Sequence, residues 1–541
     1  MHSPARFRGA ALVTVMFLLV SCSSPGPSLV ASPSPTPAAT PTPTATPSPT
    51  PAPPVSFPLA VVTGLTNLRS VVALDDLASL ASSGKLVVPC GVTVTAPALE
   101  ATAACQPAKE IATAIGADQE LVALLPPGLV EPATRVLPIA GDGPFGLFGP
   151  DLFGDTKARA MDYPVMGSAP AEGPDALDPS WTAYDASQVW TLASVGSLCS
   201  DRNGAYQAVT KGKGWDWIFT GGTAKYRGKP YNNPYPPAGV SVFPIVAPVE
   251  TGNDGATAEI TKRADVALAD HKCPIVPNST WRPSLNGPPS LSVPELVVPR
   301  WQDLLGIDAV FLAADHQSDR GVAGIRSSLQ ILDKYGMAHT GIGMDLDQAL
   351  EPAYVETHGL KIAFVSWNNV LGPIHAAAGT PGVAWLTESN VDASVKRARD
   401  GGADLVICDP QWWHAGPDPE YQPDLGPAQQ QAVEWMDAAG CDQIIAGGLH
   451  IAGGTFLDQG PSGVRVLNAG PGNYQYGQDW WQQTQEGVIE DMTFVGTKLV
   501  NFRLHPYVMI NAARAALTDP RGDGHYVLDR IWKNSELDYG S

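Results

Sequence analysis

Residues 305–345 read LGIDAVFLAADHQSDRGVAGIRSSLQILDKYGMAHTGIGMD, and this stretch admits few folds. Asp308 to Ala314 is an almost unbroken apolar run, the pattern of a strand covered on both faces. Asp315, His316, Gln317 and Ser318 follow at once, and Gly321 and Gly324 then interrupt the chain. Ile325, Leu329 and Leu332 recur at the i, i+4, i+7 spacing of an amphipathic helix, which Gly336 ends before a second strand near Ala338–Thr340. Open α/β sheets bind ligands at the carboxyl ends of their strands. An Asp-His pair at that place is a candidate metal or acid–base site, and in a blander role it is a helix cap beside a surface histidine.

The same alternation extends outward. Strands are expected at Trp215–Thr220, Ala264–Ala269, Lys361–Trp367, Ala403–Cys408, Asp442–Ala446 and Val464–Asn468, with a helix at Gly426–Ala438. Strands and helices in alternation predict an α/β fold with a mixed sheet. Ahead of it, residues 59–168 read as a small accessory α/β domain. Its expected strands are Val71–Leu74, Lys85–Pro89 and Arg135–Ala140, and its expected helices Asp75–Ser83 and Ala108–Leu125. Gly141–Asp155 reads as a glycine-punctuated aromatic loop, since it lacks the Lys-Ser/Thr ending of a phosphate-binding loop. Residues 169–213 read as a connector, and 214–541 as the main domain.

The N-terminus predicts export. Arg6 and Arg8 precede an apolar run too short to span a bilayer, and Leu19-Val20-Ser21-Cys22 closes it. This ending resembles a bacterial lipobox, which implies a signal peptide over 1–22 and lipid on Cys22. Residues 23–58 are Pro, Ser, Thr and Ala-rich and uncharged, a disordered spacer that lifts the folded part from the membrane. The expected location is therefore lipid-anchored and extracytoplasmic.

With 33 basic and 53 acidic residues the chain carries −20, which excludes nucleic acid as a natural partner. Six cysteines remain after Cys22, an even number that suits disulfides in an exported chain. Cys90 and Cys105 are the expected pair. Of the other four, Cys273–Cys408 is favoured over Cys408–Cys441, whose sulfurs are expected at opposite sheet edges.

The run GIDAVFLAADH…G…G…LD…G…H.GIG, followed by EPAYVETHGLKIAFVSWNN, resembles the CapA family of poly-γ-glutamate and capsule biosynthesis proteins. The resemblance covers roughly residues 214–535. It implies a metallophosphoesterase-type layered α/β domain with a mixed sheet, and a role in synthesis, anchoring or turnover of a surface polymer. It also implies a set of strand-end ligands, only part of which this chain retains. Where the family has Gly-Asp and a later Arg, the sequence is matched at Gly221-Gly222 with Arg227, so the aspartate is missing. The Asn-Leu-Glu position falls at Ala269-Asp270-His271, and Asn-Asn-His at Ala314-Asp315-His316. His-Trp-Gly becomes Gln411-Trp412-Trp413 with His414 close by, and Gly-His-x-x-His keeps only His450. Leu-Gly-Asn-Phe is recognisable in the stretch ending Asn473-Tyr474.

The implied metal set is thus Asp270, His271, Asp315, His316, His414, His450 and Asn473, with Asp315, His316 and His450 as catalytic candidates. A single divalent ion (Mn, Zn or Fe), or none, fits the thinned motif better than two. Arg227, Trp412, Trp413 and Tyr474 are candidate contacts for an extracellular anionic polymer or glycan. Two functions stay open: a metal-dependent hydrolase or transferase, and a catalytically degenerate polymer-binding or scaffolding protein.

Overall fold

The computed structural model describes residues 52–95, 99, 103–140, 164–173, 176–182, 185–231, 243–284, 290–415 and 418–535. Cys22, the spacer up to residue 51 and the Gly141–Asp155 loop lie outside them.

Two sheets face each other. One has ten strands and runs Ile245–Gly252, Gly222–Tyr231, Arg514–Leu517, Lys498–Ile510, Glu486–Val495, Val189–Cys199, Val266–His271, Ala309–Phe311, Ala338–Thr340, with Asn473–Tyr476 also paired to Val189–Cys199. The other has six and runs Ala353–Thr357, Leu360–Asn368, Leu405–Gln411, Gln443–Ile445, Gly463–Asn468, Thr455–Gly460. Both mix parallel and antiparallel pairs.

Period-two alternation explains the layering. In Val266–His271, Val266 and Leu268 enter the core between the sheets while Ala267 and Ala269 face the outer helices. In Leu405–Gln411, Leu405 and Ile407 point between the sheets while Val406 and Cys408 meet the helices Glu388–Asp400 and Pro427–Ala439. Helices Val298–Leu305 and Gly321–Tyr335 cover the outer face of the larger sheet. The result is the layered α/β domain with mixed sheets that the sequence implies.

Several elements differ from expectation. Val189–Cys199, placed in the connector, is an eleven-residue strand in the middle of the larger sheet. Its small residues hid it: a Cβ at Gly196 would lie 1.9 Å from the Gly472 carbonyl oxygen, so glycine is needed where the chain crosses over. Trp215–Thr220 is a helix, because Trp215, Ile218 and Phe219 recur at helical spacing and pack on the outer core. In the accessory module a five-stranded sheet is formed, and the expected helix Ala108–Leu125 splits into helix Ala108–Ala117 and strand Val122–Leu125. Val71–Leu74 gives only a bridge at Val72, and Thr134–Val136 is the strand expected over Arg135–Ala140. The module packs on the main domain through Val189 and Val500, and the Val136 N–H donates to Asn501 Oδ1 at 2.8 Å. Among the described residues no helix is long and apolar enough to cross a membrane.

The disulfides are Cys90–Cys105, as expected, and Cys199–Cys273 and Cys408–Cys441, which replace the favoured Cys273–Cys408. Cys408 is not at a strand end. It sits mid-strand facing the helices, where Cys441 enters the next strand from the same side with Cα atoms 6.0 Å apart.

Candidate functional site

The carboxyl ends of the parallel strands converge on a residue that the motif comparison passed over. Lys272 follows Asp270 at i+2, so both face the layer between the sheets, and the lysine side chain is fully buried. Its Nζ donates to the Gly448 carbonyl at 2.8 Å and lies 3.7 Å from Asp315 Oδ1. The Gly448 backbone also donates to Asp270. Gly448 has φ +96°, and a Cβ there would meet the Trp412 backbone at 2.6 Å, so the turn tolerates only glycine.

Around the ammonium the electrostatics are uneven. Burial alone would push the Asp315 carboxyl up, but Lys272 and His316 outweigh it and hold the group at about 2. Burial pushes Asp270 up to about 6, Lys272 pulling against it and Asp315 adding to it. His316 is bracketed by carboxylates, with Nδ1 2.9 Å from Asp319 Oδ2 and Nε2 3.4 Å from Asp315 Oδ2. These overcome burial and raise its value. His450 goes the other way: burial, then Lys272, keeps it neutral. Its Nδ1 hydrogen-bonds Asn473 Oδ1 at 2.8 Å, and its ring stacks on Tyr476 with centroids 5.0 Å apart.

Behind the lysine lie two more buried carboxyls, Asp409 and Glu490. Ser366 Oγ donates to Asp409 Oδ2 at 2.6 Å and Gln411 Nε2 donates to Oδ1 at 3.0 Å. Burial, then Asp270, pushes Asp409 well up, and burial pushes Glu490 up to about 8.

Asp270, Asp315, His316, His450 and Asn473 are therefore brought together, while other expected members are not. His271 has the opposite strand parity: its Nδ1 hydrogen-bonds the Leu198 carbonyl at 2.7 Å, its ring packs on Trp301, and burial takes it down to about 4. His414 stays on its loop, bonded to the Ala415 carbonyl and 3.6 Å from Asp424. Trp412 is core, its Nε1 donating to the Ala469 carbonyl, and Tyr474 is buried against Tyr507. Trp413 is half-buried at the site's rim, with Nε1 3.0 Å from the Gly448 carbonyl. Arg227 lies on the strand Gly222–Tyr231, away from the cluster's strand ends, and its side chain falls outside the described residues.

The first-strand motif also shifts. The strand that ends at the site is Val189–Cys199, and Gly196-Ser197 with Arg202 stands where Gly221-Gly222 with Arg227 was matched. Ser197 Oγ donates to Asp270 Oδ2 at 3.3 Å, and the Arg202 guanidinium lies 5.3 Å from the Tyr476 ring centre. The aspartate is absent on either reading.

The donor set does not fit a divalent ion. Among the described residues no three His, Cys, Asp or Glu side chains converge as a metal-binding group. The Lys272 ammonium lies against the carboxylate that would have to ligate, and like charge repels a second cation there.

Facing mixed sheets with a polar cluster at their strand ends define a layered α/β domain. Residues 250–460 match the family model described as bacterial capsule synthesis protein PGA_cap. The capsule biosynthesis protein CapA of Bacillus anthracis is 22% identical over 190 residues, which is 34% of this chain and 44% of that protein. The chain thus matches less than half the length of this relative. Among solved structures, a 5'-nucleotidase precursor from Thermus thermophilus is 12% identical with TM-score 0.33, covering 64% of this chain and 58% of its own. The sulfate thiohydrolase SoxB of the same organism is 13% identical with TM-score 0.29, covering 64% and 60%. Overlap this low bears on neither activity nor substrate.

Proposed function

We propose that this protein is a metal-independent, surface-anchored binding protein for an envelope polymer of the capsule type, anionic or saccharide. The observation that carries this reading is the Lys272 ammonium beside Asp315, a resident cation where a metal-dependent esterase requires an exchangeable one. The rim supports polymer binding. Trp413 and Tyr421 are half-buried beside His450, half-buried Trp481 packs on Tyr421, and exposed Phe243 meets Trp481 edge-on at 5.4 Å. Aromatic edges of this kind stack on sugar rings and on apolar backbone segments. Arg202, whose guanidinium lies 5.3 Å from the Tyr476 ring centre, gives an anionic chain a cationic contact there.

Elemental analysis of purified protein is expected to find no stoichiometric manganese, zinc or iron after incubation with each, and no turnover of a phosphodiester such as bis(p-nitrophenyl) phosphate. Calorimetry against poly-γ-glutamate and a capsular polysaccharide is expected to find binding to one, weakened about tenfold by Trp413→Ala, which equals about 1.4 kcal/mol. About one ion per chain, with turnover lost in His316→Ala, would instead establish the single-metal hydrolase. The anchoring half of the proposal rests on the Leu-Val-Ser-Cys box. Cys22→Ala is expected to leave an unprocessed precursor or release the protein from membranes; normal processing and fractionation would defeat it.

A further inference from the structure

We propose that the junction between the accessory module and the layered domain is a binding site for a small monocarboxylate with a short apolar tail, centred on Arg135. A cavity of about 190 Å³ opens there, with Leu65, Leu504, Leu528 and Trp532 as well as Arg135 and Arg503 in its lining.

Arg135 is what the cavity lacks an answer to. Its side chain is buried, and its Nη2 donates to the backbone carbonyls of Asn67 and Arg69. Among the described residues no carboxylate pairs with it. The other deeply buried guanidiniums are matched: Arg465 by Asp437 and Asp458, Arg514 by Glu250. A guanidinium cannot shed its proton to escape burial, so an unmatched one is costly. Burial, then the nearby Arg503 and Arg521, pulls Arg135 down to about 9, which reports the same lack of negative charge.

An external anion supplies the missing partner. A carboxylate brings the negative charge that the cavity lining lacks, and the apolar lining residues accept methylene groups. The site also has a structural consequence. Arg135 belongs to the accessory strand Thr134–Val136 and Arg503 to the strand Lys498–Ile510, so one carboxylate between them ties the module to the main domain.

The test is calorimetry and thermal melting of the full-length protein with acetate, hexanoate and inorganic phosphate. Hexanoate is expected to bind saturably, more than tenfold tighter than acetate or phosphate, and to raise the melting temperature. Arg503→Gln is expected to stay folded and weaken hexanoate more than tenfold. Arg135→Met is expected to abolish binding while leaving the ligand-free protein as stable as wild type or more so, because an unmatched buried charge is removed. Should Arg135→Met fail to fold, Arg503→Gln decides alone. Absence of saturable hexanoate binding, equal affinity for phosphate, or binding unchanged by Arg503→Gln overturns the proposal.

Discussion

Lys272→Met is expected to destabilise the protein by about 3–5 kcal/mol at pH 7, the cost of leaving a buried charge without its partner. Lys272 is fully buried and Asp315 nearly so, so solvent screens the pair little. The pH dependence has a definite sign. Asp315 titrates at about 2 in the folded state against an ordinary 3.8, so its contribution is present above pH 4 and lost as pH falls through about 2. Without the ammonium this carboxyl rises, and Asp270, already at about 6, rises further. The deficit of the variant is therefore largest at neutral pH and narrows toward pH 4, as both groups take up protons. Adding Asp315→Leu to Lys272→Met is expected to recover most of the loss, because replacing both partners of a buried pair by apolar groups is often neutral. Urea unfolding of the wild type and the two variants at pH 4.5 and 7 measures this. A Lys272→Met loss below about 1 kcal/mol would show that the pair is not buried as described.

Glu490→Gln is expected to stabilise the protein at pH 8.5 and to leave it unchanged at pH 5. Glu490 points between the sheets with Oε2 unpartnered, facing Asp409 and Tyr507. Burial raises it from 4.5 to about 8. A carboxyl raised in the folded state contributes stability that is complete below pH 4.5 and lost as pH climbs through about 8. At 1.36 kcal/mol per unit, full ionisation costs roughly 4–5 kcal/mol. The wild type is therefore expected to melt lower at pH 8.5 than at pH 5, and Gln at this position removes much of that slope. Asp270 and Asp409 shift in the same direction and supply the slope that remains. Parallel melting curves for wild type and variant across this range would mean that Glu490 is solvated.

The sequence by itself determined what periodicity and composition encode. The strand–loop–helix unit around Asp315, the alternation of the main domain and the Cys90–Cys105 bridge were all legible, since each depends on neighbours within a few residues or on a short loop. Asp270 with Lys272 on one strand face and His271 on the other was legible in principle, because parity alone separates them. Only the tertiary structure decided which strand ends meet. Ser197, Lys272, Asp315, Asp409 and His450 are far apart in the chain and converge through sheet order, which placed Val189–Cys199 at the centre and moved the first motif to Gly196-Ser197. It also decided the charge state of the site. A lysine reads as a surface residue in a sequence, whereas here complete burial between two sheets makes it the cation on which the neighbouring carboxylates depend.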